Sequence, residues 1–376
     1  MPPKKKQEEP KPEENLPMSF EDLSSAISSS GGFSQTSYTP FERIKTGILS
    51  LDYCLGGTPE KGGGLPLGLV THIAGPTGSG KTSLSVIIGV SARKAGMRVA
   101  VVNQEFRWNP SLAYKSGMGI PGKDYLLFSF ANGEEVLNTI TKLAKSGIDL
   151  VILDSVAATP SGAEANSEKI GEGSAYGAMA KMWSEWFRVH VSTISNANMS
   201  LLLLNQFRTD PNNTYAPIVR PGGKALEFYP AIAIDMQRIP KSGRIMVVAE
   251  NQGIAKITSS EKKDDDALVA GGVVIEGKSW KNITAPNFRE FSARIHFLNG
   301  GVFFDWPHEL ATWARAVGVF RNKDGNFLGS NGHWYLDGIK IAEKLEGVME
   351  WLEDPSNAHQ VVKIRQMVTE AAMSDG

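Results

Sequence analysis

From about residue 42 the chain alternates two patterns. The apolar runs "GLVTHIAG", "MRVAVVNQE", "YLLFSF", "IDLVILDS", "SLLLLNQ" and "AIAIDMQRI" have strand length, and stretches of helical spacing near 81 to 95, 109 to 116, 133 to 146 and 176 to 197 separate the first five. Runs that are apolar at every position belong to strands buried on both faces, and helical connections suit a parallel order. The pattern predicts an α/β core over 42–300 with a mainly parallel twisted sheet. "GRIMVVAEN" and "SARIHFL" are expected as antiparallel additions, with the charged, glycine-bounded "SSEKKDDDALVAGG" between them as an exposed part of a long 251–280 loop.

The ends read differently. Residues 1–17 are mostly Lys, Glu and Pro with almost nothing to bury, which predicts a disordered tail. Residues 18–41 hold a short amphipathic helix, with Phe20, Leu23 and Ile27 on one face, and the linker "SGGFSQTSYTP", an arrangement suited to docking on a neighbouring subunit. Residues 301–376 turn to helices and short turns and predict a small α+β C-terminal domain and tail.

Composition narrows the setting. No window approaches eighteen uninterrupted apolar residues and the charged start lacks an apolar stretch behind it, so the expectation is a cytoplasmic protein without a membrane segment. The single cysteine, Cys54, excludes an internal disulfide or a multi-cysteine zinc site and reads as a small core residue. A net charge of −1 offers no overall field for nucleic acid, so any such contact falls to local loops.

The chemistry starts at "GPTGSGKTS". Gly75, Pro76, Thr77, Gly78, Ser79, Gly80, Lys81 and Thr82 fit the phosphate-binding loop pattern, followed by Ser83, between a predicted strand and a predicted helix. Glycines let successive N–H groups face phosphates and the helix start adds partial positive charge. Lys81 is expected on the β and γ phosphates and Thr82 on Mg²⁺. Asp154, Glu105 and Gln206 end three other predicted strands, and in an open parallel sheet such ends line one crevice. Asp154 suits the metal, Glu105 the attacking water and Gln206 the γ-phosphate, with a cap or turn role open for Asp154, a solvated loop acid for Glu105 and a polar end to a buried strand for Gln206.

Six ordered blocks, "IKTGILSLDYCLGG", "GGLPLGLVTHIAGPTGSGKTSL", "NQEFRWNPSLAYKSGMGI", "IDLVILDSVAATPSGAE", "LLLLNQFR" and "RPGGKALEFYPAIAIDMQRI", resemble the RecA-type recombinases, including their phage relatives of the UvsX kind; "GSNGHWYLDGIKI" is similar to the family's C-terminal domain. The resemblance implies a helical homo-oligomeric filament on single-stranded DNA. It also implies pairing with a homologous duplex, and ATP with Mg²⁺ held between subunits, in a host cytoplasm if the chain is phage-encoded. Loading partners of the mediator or single-strand-binding kind would accompany it. By position it assigns catalysis to Glu105, Lys81 and Gln206, the metal to Thr82 and Asp154, nucleotide contacts to Asn109 and Lys281, and DNA contacts to Tyr176, Lys181, Arg208, Arg220, Gly222, Gly223 and Lys224.

Some family features are changed. Leu112 stands where many members stack a tyrosine on adenine, and the paired interface lysines leave only Lys281 beside Trp280 and Asn282. The acidic tail of many bacterial members is absent. A hexameric DNA motor of the same core, or an assembly protein that uses ATP only as a switch, are the other readings; Glu105 favours hydrolysis and the C-terminal block favours the filament.

Overall fold

The computed structural model describes residues 41–166, 177–209, 218–237, 244–248, 256–257, 268–329 and 332–374. In the separate unit Met1–Pro40 it describes Ser19, Glu21, Asp22, Ser25 and Ser29. The last four are helical, and Ser19 Oγ accepts from the Asp22 N–H at 3.1 Å, an N-cap geometry. Phe20, Leu23 and Ile27, the expected docking face, lie outside the described residues.

In the second unit, six parallel strands form the predicted core: β1 (Val70–Gly75), β2 (Val99–Asn103), β3 (Leu126–Phe128), β4 (Leu150–Asp154), β5 (Ser200–Gln206) and β6 (Ile232–Met236). Their order is β6-β1-β5-β4-β2-β3. One face is covered by α1 (Leu49–Leu55), α2 (Lys81–Lys94) and α3 (Pro110–Lys115), the other by α4 (Gly133–Lys145), α5 (Ala178–Asn196) and α6 (Ala225–Phe228). α4 shows why these segments are helical: Asn132 caps its start, Glu134 and Glu135 occupy the first turn, and Lys142 and Lys145 the last, matching the helix dipole.

The antiparallel additions are β7 (Arg244–Val248), β8 (Lys256–Ile257), β9 (Leu268–Asn282), β10 (Glu290–Leu298) and β11 (Gly301–Phe304). β9 corrects the loop reading of 251–280, since Leu268 onward is strand. The glycine pair that looked like loop punctuation has two other uses. The register skips Gly271 opposite Ile245–Met246, a bulge, and a Cβ on Gly272 would sit 2.4 Å from the Ile295 carbonyl oxygen. β9 then pairs with β6 on one side and β10 on the other, welding the additions to the parallel half.

β11, at the start of the segment expected as the C-terminal domain, belongs to this sheet. A distinct apolar cluster follows, built on α7 (Trp306–Ala316), α8 (Leu345–Glu353) and α9 (Ala358–Ser374), with Phe320 and Trp334 edge to face at 5.6 Å. Cys54 is buried, as expected of a core residue.

Candidate functional site

The parallel order carries the ends of β1, β2, β4 and β5 to one edge, where the chain leaves the sheet through polar residues. After β1 the backbone turns through Gly78 at φ 76° and Gly80 at φ 88°, left-handed values that a glycine takes without strain. At Gly80 space is short as well: a Cβ would meet Ile275 Cγ2 at 2.6 Å. Lys81 opens α2, only 8% exposed, and its Nζ donates to the carbonyls of Gly75 and Pro76, both at 2.9 Å, and to Ser79 Oγ at 3.3 Å. Burial pushes its pKa down, while the nearby Asp154 and Glu105 carboxylates act the other way.

Thr82 Oγ1 donates to Asp154 Oδ2 at 2.7 Å. Burial lifts the Asp154 carboxyl to a pKa of about 6, with the Thr82 hydrogen bond opposing. Glu105 Oε1 accepts from Ser155 Oγ at 2.7 Å and from Gln206 Nε2, while Gln206 Oε1 accepts from Thr77 Oγ1 at 3.3 Å. Gln206 thereby bridges the phosphate loop to Glu105. Thr77, Glu105, Arg107 and Gln206 line an open cleft of about 360 Å³.

One residue here escaped the sequence reading. Asn103 ends β2 in register with Asp154, and strand alternation puts both on the face covered by α2. Its side-chain Oδ1 is buried without a partner in a residue 7% exposed. An orphaned acceptor beside a hydroxyl, a carboxylate and the phosphate loop fits a hydrated divalent cation accompanying a nucleotide phosphate. The polar residue two before Glu105 was the signal available.

Other expected contacts are engaged elsewhere. Asn109 caps α3, accepting from the Leu112 N–H at 3.1 Å. Lys281 Nζ donates to the carbonyls of Glu227 and Phe228 at 2.9 and 2.6 Å, closing the end of α6. Asn282 is buried and donates to the Cys54 carbonyl at 3.1 Å. Ser83 lies partly buried in the first turn of α2.

Among the expected DNA contacts, Lys181 and Lys224 are exposed, Lys181 lying 3.9 Å from Glu185 one turn on. Gly222 and Gly223 have φ of 99° and 76°, and a Cβ on them would strike Leu226 Cδ1 at 2.2 Å and Ala180 Cβ at 2.6 Å. They press their turn onto α6 and α5. Arg208 lies in a two-residue strand, Arg208–Thr209, paired with Ile218–Val219, and Tyr176 lies outside the described residues. The Arg220 guanidinium is ion-paired with Asp235 and lies 5.4 Å from the Phe207 ring centroid and 5.0 Å from that of Trp280.

Among the described residues no helix is long and apolar enough to cross a membrane. Residues 29–300 match the family model for the RecA N-terminal domain. The chain is 33% identical over 314 residues to Protein RecA of Thermus aquaticus, covering 83% of this chain and 82% of that protein. It is 31% identical over 331 residues to Protein RecA of Wigglesworthia glossinidia brevipalpis, covering 87% of each. A crystal structure of the RadB recombinase aligns over 69% of this chain and 98% of its own with a TM-score of 0.46 and 19% identity. On the family model and these relatives, the chain belongs to the RecA family, ATP-dependent recombinases that bind nucleotide and DNA and act as oligomeric filaments.

Proposed function

We propose that this chain hydrolyses ATP with Mg²⁺ at the 75–82 loop and uses the cycle to assemble on single-stranded DNA and exchange it with a homologous duplex. The observation that carries the reading is the Gln206 bridge between Thr77 and Glu105, which joins the phosphate loop to a carboxylate and to the segment that follows β5.

In this mechanism the N–H groups of the 78–81 turn and the start of α2 receive the phosphates. Lys81 trades neutral carbonyl acceptors for anionic phosphate oxygens, which make the stronger charge-assisted bonds. Thr82 and Asp154 would hold Mg²⁺, and the unpartnered Asn103 Oδ1 would be an acceptor beside it. The ion supplies charge neutralisation at the phosphates. Glu105 accepts a proton from the attacking water as its oxygen bonds to the γ-phosphorus, and the bond to the ADP oxygen breaks. While Gln206 Nε2 donates to Glu105 Oε1, that oxygen of the base is engaged; a γ-phosphate competes for the N–H and draws the amide away. Nucleotide binding therefore frees that oxygen and shifts the start of the following segment together.

Lys181, Lys224 and Arg208 remain the cations proposed to face DNA, with Tyr176 as the stacking residue. The test is a strand-exchange assay with homologous and heterologous duplexes. Product from the homologous duplex alone, with ATPase stimulated by single-stranded DNA, is the expected result. DNA-independent turnover at full rate, with no filaments by electron microscopy, would overturn it.

A further inference from the structure

The segment after Gln206 leaves and rejoins the fold through a short ribbon, Arg208–Thr209 against Ile218–Val219. Two ladder pairs are too few to be stiff by themselves. Just below the ribbon, two contacts join its entry to its exit. Asn205 Nδ2 donates to the Pro221 carbonyl at 2.9 Å, and the Phe207 ring lies under the Arg220 guanidinium.

Arg220 is fixed from several strands at once. Asp235 of β6 accepts from its Nε at 3.3 Å and also from Nη2, and Asp235 Oδ1 takes the indole N–H of Trp280 from β9 at 3.1 Å. His72 of β1, fully buried, borders the group; burial, and then the Arg220 charge, hold it neutral, with its pKa pushed down to about 3. The Arg220 side chain keeps 19% of its surface exposed. Phe207 is tied on its other flank: its N–H donates to the Gly75 carbonyl at 3.2 Å, the same oxygen that accepts from Lys81 Nζ.

We propose that Phe207 and Arg220 are positioning residues whose ring–guanidinium contact makes the Arg208–Thr209 and Ile218–Val219 ribbon move as one body with Gln206. The clasp deepens the proposed function and rests on its reading of Gln206 as the reporter of the γ-phosphate. A displacement of Gln206 carries Phe207, its neighbour in sequence. Because Arg220 is held by a two-point ion pair and two rings, the push reaches the loop exit instead of dissipating in a two-pair ribbon. A lysine has neither the planar fork nor the stacking face to replace it.

The experiment measures single-stranded DNA affinity of the full chain by fluorescence anisotropy, once with a non-hydrolysable ATP analogue and once with ADP. The ratio is the coupling between the sites, and it must appear equally in the effect of DNA on analogue binding. Phe207→Leu and Arg220→Lys should each lower the ratio about tenfold, within the usual range of such couplings, while affinity for the analogue without DNA is unchanged. Were Arg220 a phosphate contact instead, Arg220→Lys would preserve the ratio, and Arg220→Ala would lower the salt slope of DNA binding by about one. A folded Phe207→Leu or Arg220→Lys with the wild-type ratio overturns the clasp. A wild type with no nucleotide effect on DNA affinity would instead overturn the reading of Gln206 and the clasp with it, and the two failures are told apart by the wild type alone.

Discussion

Among the described residues, and setting aside buried Asp305, which pairs with Arg294 and His296, two sets of buried or half-buried carboxylates are treated oppositely. At the strand ends, Asp154 meets one hydroxyl and Glu105 meets Ser155 and Gln206, beside an open cleft and an Asn103 oxygen with no partner. Where α1 meets α7, Glu309 accepts the N–H groups of Leu49 and Ser50 at 2.7 and 2.9 Å, and Asp52 Oδ1 accepts the N–H and hydroxyl of Thr46 at 2.8 and 2.7 Å. Burial raises the pKa in both places. The junction acids are supplied with backbone donors by the chain itself, as at a capped helix start. The strand-end acids have side-chain partners that can rotate away. Burial with fixed donors marks a structural acid; burial with exchangeable donors and an orphaned neighbour marks an acid prepared for a ligand.

The sharpest break between the regions should come from Lys81→Ala. Removing the buried ammonium is expected to lower DNA-stimulated ATPase by about 10²-fold or more, the scale for losing one charge-stabilising donor, with little change in Tm. Glu105→Gln keeps the acceptor for Ser155 but no longer takes a proton, so turnover should fall by about 10²-fold or more while filaments persist by electron microscopy. Normal turnover in that variant would place Glu105 with the structural acids and erase the distinction.

At the junction the signs reverse. Glu309→Ala leaves two N–H groups at the start of α1 without their acceptor and should cost about 1–3 kcal/mol, read as a lower Tm. ATPase per folded molecule should be unchanged. A loss of turnover without a loss of Tm would mean that the junction acids belong to the chemistry after all.

The strand-end region was the more legible of the two in sequence. The parallel half announced itself because each strand is apolar throughout, and once the strands are parallel their terminal residues must share an edge, which brings Glu105, Asp154 and Gln206 to Lys81. The junction was silent: Glu309 caps amides about 260 positions away, a separation printed by no local pattern. The Arg220–Asp235 pair was silent for the same reason, since a basic residue beside glycines looks alike whether it faces a phosphate or an aspartate on another strand. β9 was missed because Gly271 and Gly272 serve a bulge and a close strand approach rather than a turn.

The smallest effect isolates Asp52. Burial lifts its carboxyl to about 7, with Glu309 adding to the rise and the Thr46 hydrogen bonds and Lys45 opposing; Arg43, pushed down to about 10 by its own burial, shares the site. The folded state therefore holds this proton more tightly than the unfolded chain. Between pH about 4 and 7 the folded form binds more protons, so this group's contribution to stability falls as pH rises and is flat above about 7. Asn at this position keeps the oxygen that Thr46 needs and cannot ionise. Asp52→Asn should thus gain stability relative to wild type between pH 5 and pH 8, by about 1–3 kcal/mol for a two-unit window of titration. Taking the difference between the variant and wild type at each pH removes the histidines and other carboxylates common to both. A difference that stays constant from pH 5 to 8, in chemical denaturation at matched ionic strength, would mean that Asp52 is ionised in the fold and that its donors fully replace water.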